Sequence, residues 1–197
     1  HQQALAILCF DGFAPVVTLD EYAGDRAGAS EVLGETERRY GPDPSILRTK
    51  AKLQWRSKDH LAALNLFEES WRDIGLDTDP TSRMVERGFV AREAAIVAAE
   101  IERWGESRTW FERARSALDD APGPDMGAMR AGLVADGGHA AFMAGDRLGA
   151  VRAYDRALIE LGDVDPDGTL REAHCHRLVR HAIAWMMQQV RPNAIPA

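Results

Sequence analysis

The stretch from Gly138 to Leu161 reads GHAAFMAGDRLGAVRAYDRALIEL. With Gly145 as a turn residue, Ala150, Tyr154 and Ala157 lie five, nine and twelve positions on, and Gly138 lies seven back. Side chains three or four apart on a helix share a face, so Ala150, Tyr154, Ala157, Leu158 and Leu161 form one apolar stripe. Small residues at Gly138 and Ala150 let two helices approach closely, and the tyrosine fills the gap beside them. The spacing predicts two helices folded back on each other through a turn at Gly145.

The same steps recur upstream. From Gly105 they reach Trp110, Ala114 and Ala117, with Pro122 seventeen on. From Lys58 they reach Ala63, Phe67 and Ser70, and from Gly24 they reach Ala29, Leu33 and Thr36. Seven before these turns stand Ala98, Ala51 and Val17. Loops at Gly41-Pro42-Asp43-Pro44, Asp77-Thr78-Asp79-Pro80, Ala121-Pro122-Gly123-Pro124 and Asp163 to Gly168 each hold a proline or glycine that stops the preceding helix. The only strand candidate, Val16-Val17-Thr18, is too short to anchor a sheet.

This pattern of small, small, aromatic, small and proline resembles the tetratricopeptide repeat (TPR), over roughly residues 12 to 161. The turns at 24 and 58 are 34 residues apart, the period of that family; the next gaps, 47 and 40, imply longer helices or loops. The resemblance implies an all-α chain, a right-handed α-solenoid of about four TPR-like helix-turn-helix units plus a C-terminal capping helix. Residues 1–43 would hold N-terminal helices and a weak first unit, and 44–161 three further units. Residues 162–197 would hold an acidic loop, the capping helix from about Thr169 to Val190 and a short tail. A non-repeating helical bundle with coincidental small residues is the competing reading.

Composition narrows the function. The 197 residues carry 24 basic and 31 acidic side chains, net charge −7, which argues against general nucleic-acid binding. No run of about 18 apolar residues exists, so no transmembrane helix and no membrane partner are expected. Two cysteines, Cys9 and Cys175, cannot form a disulfide framework, and a cytoplasmic setting is the simplest reading. The chain begins with His1, and Gln2 to Phe10 reads as a helix already under way, so a longer protein is expected.

In the repeat family, the first helix of each pair lines a concave groove that usually binds peptides. Ten, six and two before Lys58 stand Arg48, Lys52 and Arg56, on one helix face with Trp55 beside them. On its matching helix the third unit offers Arg92, thirteen before Gly105, and Arg103, two before it, and the fourth offers His139 and Phe142 at equivalent places. These eight residues are the candidate partner-binding set. A basic stripe in an acidic protein favours a protein or peptide partner with an acidic segment. The alternative is a solvated face neutralised by the chain's own acids, such as Glu68, Glu69 or Glu93. A clamp for C-terminal carboxylates is not expected: Arg48 matches its first basic position, but Lys52 and Ile96 replace the asparagines, and Gly132 and Asp136 replace the remaining basic pair.

No cofactor and no enzymatic activity are expected, because no phosphate loop, nucleophile elbow or zinc-protease helix is present. Asp163, Asp165 and Asp167, followed by Gly168 and Leu170, have the spacing of a calcium loop. The twelfth position is His174 where a bidentate glutamate is needed, so an acidic turn is favoured over a metal site. His174, Cys175, His176 and His181 read as helix packing. The leading expectation is a noncatalytic interaction scaffold, with a homodimer through the array ends as a further option. The alternative is a sensor or regulatory repeat domain excised from a larger bacterial signalling or defence NTPase or transcription regulator.

Overall fold

A computed structural model of the protein describes residues 26–41, 43–75, 79–121 and 124–162. The described part of the protein is all-α. Among the described residues seven helices and no strands are found: α1 (Arg26–Tyr40), α2 (Pro44–Arg56), α3 (His60–Asp73), α4 (Pro80–Glu100), α5 (Trp104–Ala117), α6 (Pro124–Met143) and α7 (Arg147–Glu160). None of them is long and apolar enough to cross a membrane. The expected capping helix, the calcium-like loop at Asp163, Asp165 and Asp167, the turn at Gly24 and both cysteines lie outside the described residues.

The chain divides into two compact units between Asp79 and Pro80. In the first, α2 and α3 pack as a hairpin and α1 packs on α2. In the second, α4 packs on α5, α5 on α6 and α6 on α7. Asp43 caps the start of α2 and Leu161 the end of α7.

Helix starts follow simple chemistry. α2, α4 and α6 each begin with a proline, whose missing N–H costs nothing in the first turn. α3 and α7 begin after Asp59 and Asp146, whose carboxylates accept the Ala62 and Gly149 amides at 3.1 and 2.8 Å.

The three hairpin turns share one backbone design. Lys58, Glu102 and Gly145 adopt left-handed φ values of 65°, 59° and 92°. The amide of each donates to the carbonyl three residues back, at 2.9, 3.0 and 3.0 Å (Trp55, Ala99 and Phe142). The next amide donates five back in all three, to Gln54, Ala98 and Ala141, at 3.0, 2.9 and 2.9 Å. This left-handed stop satisfies the last carbonyls of one helix while the same residues start the next.

The third unit's turn therefore falls at Glu102, three residues before the expected Gly105, which lies inside α5. A glycine marks a turn in sequence because it tolerates positive φ at little cost; here a glutamate accepts that conformation and the glycine is helical. With this register the repeat is tighter than its sequence reading. Five, nine and twelve after the three turns stand Ala63, Phe67 and Ser70; Ser107, Phe111 and Ala114; and Ala150, Tyr154 and Ala157, all buried. Sixteen after them Ile74, Leu118 and Leu161 are buried, and seven before them Ala51, Ala95 and Gly138. Phe111, not Trp110, fills the aromatic place, while Trp110 packs beneath the Arg113 guanidinium, 4.4 Å from the ring centre. Ala29, Leu33 and Thr36, the matching positions of α1, are buried as well.

The long first helices explain the stretched period. The left-handed residues at 58, 102 and 145 are 44 and 43 apart, and α4 and α6 have 21 and 20 residues against 14 in α5 and α7. α4 buries Gly88, Val90, Ala91, Ala94, Ala95, Val97 and Ala98, which fall within about half of the helix circumference. Their small side chains let neighbouring helices approach that face closely. A Cβ on Gly138 would come within 2.9 Å of the Ala153 Cβ, which fixes the close approach of α6 to α7. Arg130 on α6 ties the joint with α5, donating through Nη1 to the carbonyls of Leu118 and Ala121, both at 3.0 Å.

Candidate functional site

In the first unit, α2 carries Arg48, Lys52, Trp55 and Arg56; the first three are partly buried and Arg56 is exposed. Their helical spacing puts Arg48, Lys52 and Arg56 on one face, as the sequence requires. Each of the four also makes a polar, charge or ring interaction within the protein. The face is thus basic but engaged at home. Its neighbour Lys50 pairs with Glu37 of α1 at 2.6 Å.

In the second unit, α4 and α6 border an open depression of about 320 Å³. Its lining comprises Arg92 from α4 and Ala128, Met129, Gly132, Leu133 and Asp136 from α6. With the turn at Glu102, Arg92 stands ten residues before it, the place that Arg48 holds before Lys58. Arg92 is half-buried and makes no hydrogen bond or ion pair among the described residues. A guanidinium set against an apolar wall keeps more of its attraction for an anion than one in open water.

The other expected residues divide. His139 follows Gly132 and Asp136 on the same face of α6, is exposed, and meets the Trp104 ring edge to face at 6.3 Å. Phe142 serves the turn: the Arg147 guanidinium lies 3.8 Å from its ring centre, and Arg147 Nη1 donates to the Phe142 carbonyl at 2.7 Å. Arg103 is not on the first helix of its pair. It precedes α5 and pairs with Glu106 at 3.3 Å, because the turn comes three residues earlier than Gly105 suggests.

The sequence reading missed Ala128, Met129 and Leu133, the apolar wall of the depression. Their signal is faint, since a helix rich in alanine and glycine shows little contrast between its faces. Among the described residues no group of three or more His, Cys, Asp or Glu side chains could hold a metal ion.

No family model matches the sequence, and no curated protein matches it. Several solved structures are similar. One is the crystal structure of BtubC (BKLC) from P. vanneervenii, with a TM-score of 0.58 and 18% identity, over 91% of this chain and 81% of that chain. At that identity the likeness is one of fold alone.

Proposed function

We infer that the protein is a noncatalytic interaction scaffold: a right-handed α-solenoid of TPR-like hairpins that binds a peptide or acidic segment in its concave groove. The repeated buried columns and the three matching turns support the repeat reading. The observation that carries the binding reading is Arg92, half-buried in an open depression between α4 and α6 whose lining is otherwise apolar except for Asp136. Helices that are already ordered lose little entropy on capture, and a carboxylate of the partner completes the arginine's hydrogen bonding. The setting that goes with this reading is the cytoplasm, on the ground of the two cysteines.

Fluorescence anisotropy with a labelled peptide of alternating glutamate and leucine tests it, with the lysine-for-glutamate peptide as control. The acidic peptide should bind with salt-sensitive affinity and the basic one should not. Arg92→Glu should weaken binding about tenfold or more, as should reversing Arg48 and Lys52 together. Equal binding of the two peptides, or unchanged binding by both variants, rejects the reading.

A further inference from the structure

The second unit holds another cavity, on a different face of α6. Gly132 of the depression and Val134 of this cavity project about 200° apart on the helix. α5, α6 and α7 enclose a pocket of about 250 Å³. Its floor is apolar, made by Phe111, Val134, Ala141 and Ala153 above the buried Leu133. Its walls carry four guanidinium groups, Arg108 and Arg115 from α5 and Arg152 and Arg156 from α7, and one acid, Glu112.

Three of the four arginines are held in place. Arg108 pairs with Glu112 and Asp146, both at 3.0 Å, Arg115 with Asp119 at 3.1 Å, and Arg156 with Glu160 at 2.8 Å. Of these acids only Glu112 lines the pocket, so the lining itself carries more cations than anions. Arg115 also leaves its buried Nε without a hydrogen-bond partner. Arg152 makes no hydrogen bond or ion pair among the described residues, and its electrostatic neighbour there is Asp146. A pocket with three tethered cations, a fourth that makes no hydrogen bond among the described residues, and an apolar floor is preorganised for a ligand with two halves. The volume lies below the range of about 300–1,000 Å³ that takes drug-sized molecules, which suits one ring or a short acyl chain.

We propose that this pocket binds a small amphiphilic oxyanion, with its apolar body on the Phe111–Val134 floor and its carboxylate or phosphate monoester held by Arg152 and Arg156. The site opens on a different face of α6 from the peptide groove, with Leu133 bordering both, and its ligand does not depend on the peptide reading.

Isothermal titration calorimetry with phenylacetate and phenyl phosphate tests the proposal and separates the two headgroups. Benzyl alcohol, acetate and inorganic phosphate supply the halves. At least one aryl anion should bind one to one with Kd of about 1 mM or tighter, and each half about tenfold more weakly. Arg152→Glu should lower the affinity about tenfold or more, and Arg156→Gln severalfold. Both side chains are exposed, so unchanged melting of these variants shows that the fold is kept. Arg92→Glu should leave the titration unchanged, which separates this site from the peptide groove. No saturable heat from either anion at about 10 mM overturns the proposal. So does inorganic phosphate or acetate binding as tightly as its aryl counterpart, or binding that neither variant at 152 or 156 alters.

Discussion

Arg108 on α5 and Asp146 ahead of α7 meet at 3.0 Å, though 38 residues separate them in the chain. The other oxygen of Asp146 accepts the Gly149 amide at 2.8 Å. One carboxylate thus starts a helix and ties it to a neighbouring hairpin. The Gly149 amide first, and then the Arg108 guanidinium, hold the Asp146 carboxyl below the usual carboxylate range.

Asp146→Ala should cost about 1 kcal/mol, the typical value of a lost N-cap. Asp146→Asn should cost less, because asparagine still caps but cannot pair with Arg108. An unfolded aspartate titrates near about 3.9 and the folded one lower, so the native state binds fewer protons. The charge-dependent stability is therefore full above about pH 4 and is lost as pH falls through the folded pKa. Urea midpoints should show the gap between wild type and Asp146→Asn narrowing from neutral pH to about pH 3; a constant gap contradicts the charge argument.

Two buried serines should respond oppositely to alanine. Ser70 Oγ donates to the Pro44 carbonyl at 2.7 Å and joins α3 to the start of α2. Ser107 Oγ is buried with no hydrogen-bond partner, in a column where the other hairpins place Ala63 and Ala150. Ser70→Ala should destabilise by about 1–2 kcal/mol, and Ser107→Ala should stabilise by about 0.5–1.5 kcal/mol. Chemical denaturation of the two variants decides this, and equal signs would refute it.

The turns invite a paired test. Glu102 carries a Cβ at φ 59°, where glycine is free of strain, so Glu102→Gly should raise stability by about 0.5–1 kcal/mol. Gly145→Ala, at φ 92°, should lower it by about 1 kcal/mol or more. Thermal melting that ranks the two variants the other way would show that the turns are not equivalent.

Two glycines of α6 should separate likewise. Gly132 has open space where a Cβ would go, so Gly132→Ala should stabilise by about 0.5–1 kcal/mol through helix propensity. Gly138 faces Ala153 and the Ala150 carbonyl, so Gly138→Val should cost about 1–3 kcal/mol by forcing α6 and α7 apart. Melting curves of the two variants test the contrast.

The hairpin at Gly145 was legible because every signal agreed: a glycine at positive φ, an aspartate cap, and small residues around a buried tyrosine. The one at Glu102 was not, because its turn uses a non-glycine residue and a true glycine stands three positions on. That displacement carried Arg103 onto the wrong helix and hid the correspondence between Arg92 and Arg48. Basic positions on α2 could be read from spacing of four, yet their internal partners could not, since those depend on tertiary proximity. The arginine-walled pocket was invisible for the same reason: Arg108 and Arg152 come together only through the packing around α6.

Substantial packing in each unit joins helices that are consecutive along the chain: α1 with α2 and α2 with α3, then α4 with α5, α5 with α6 and α6 with α7. Such short-range topology keeps the loop-closure entropy of assembly small, so the kinetics of folding should be fast for a chain of this length. A nucleus could form at either the α2–α3 or the α6–α7 turn and spread to its neighbours, leaving partly folded species under mild denaturant rather than a single sharp transition.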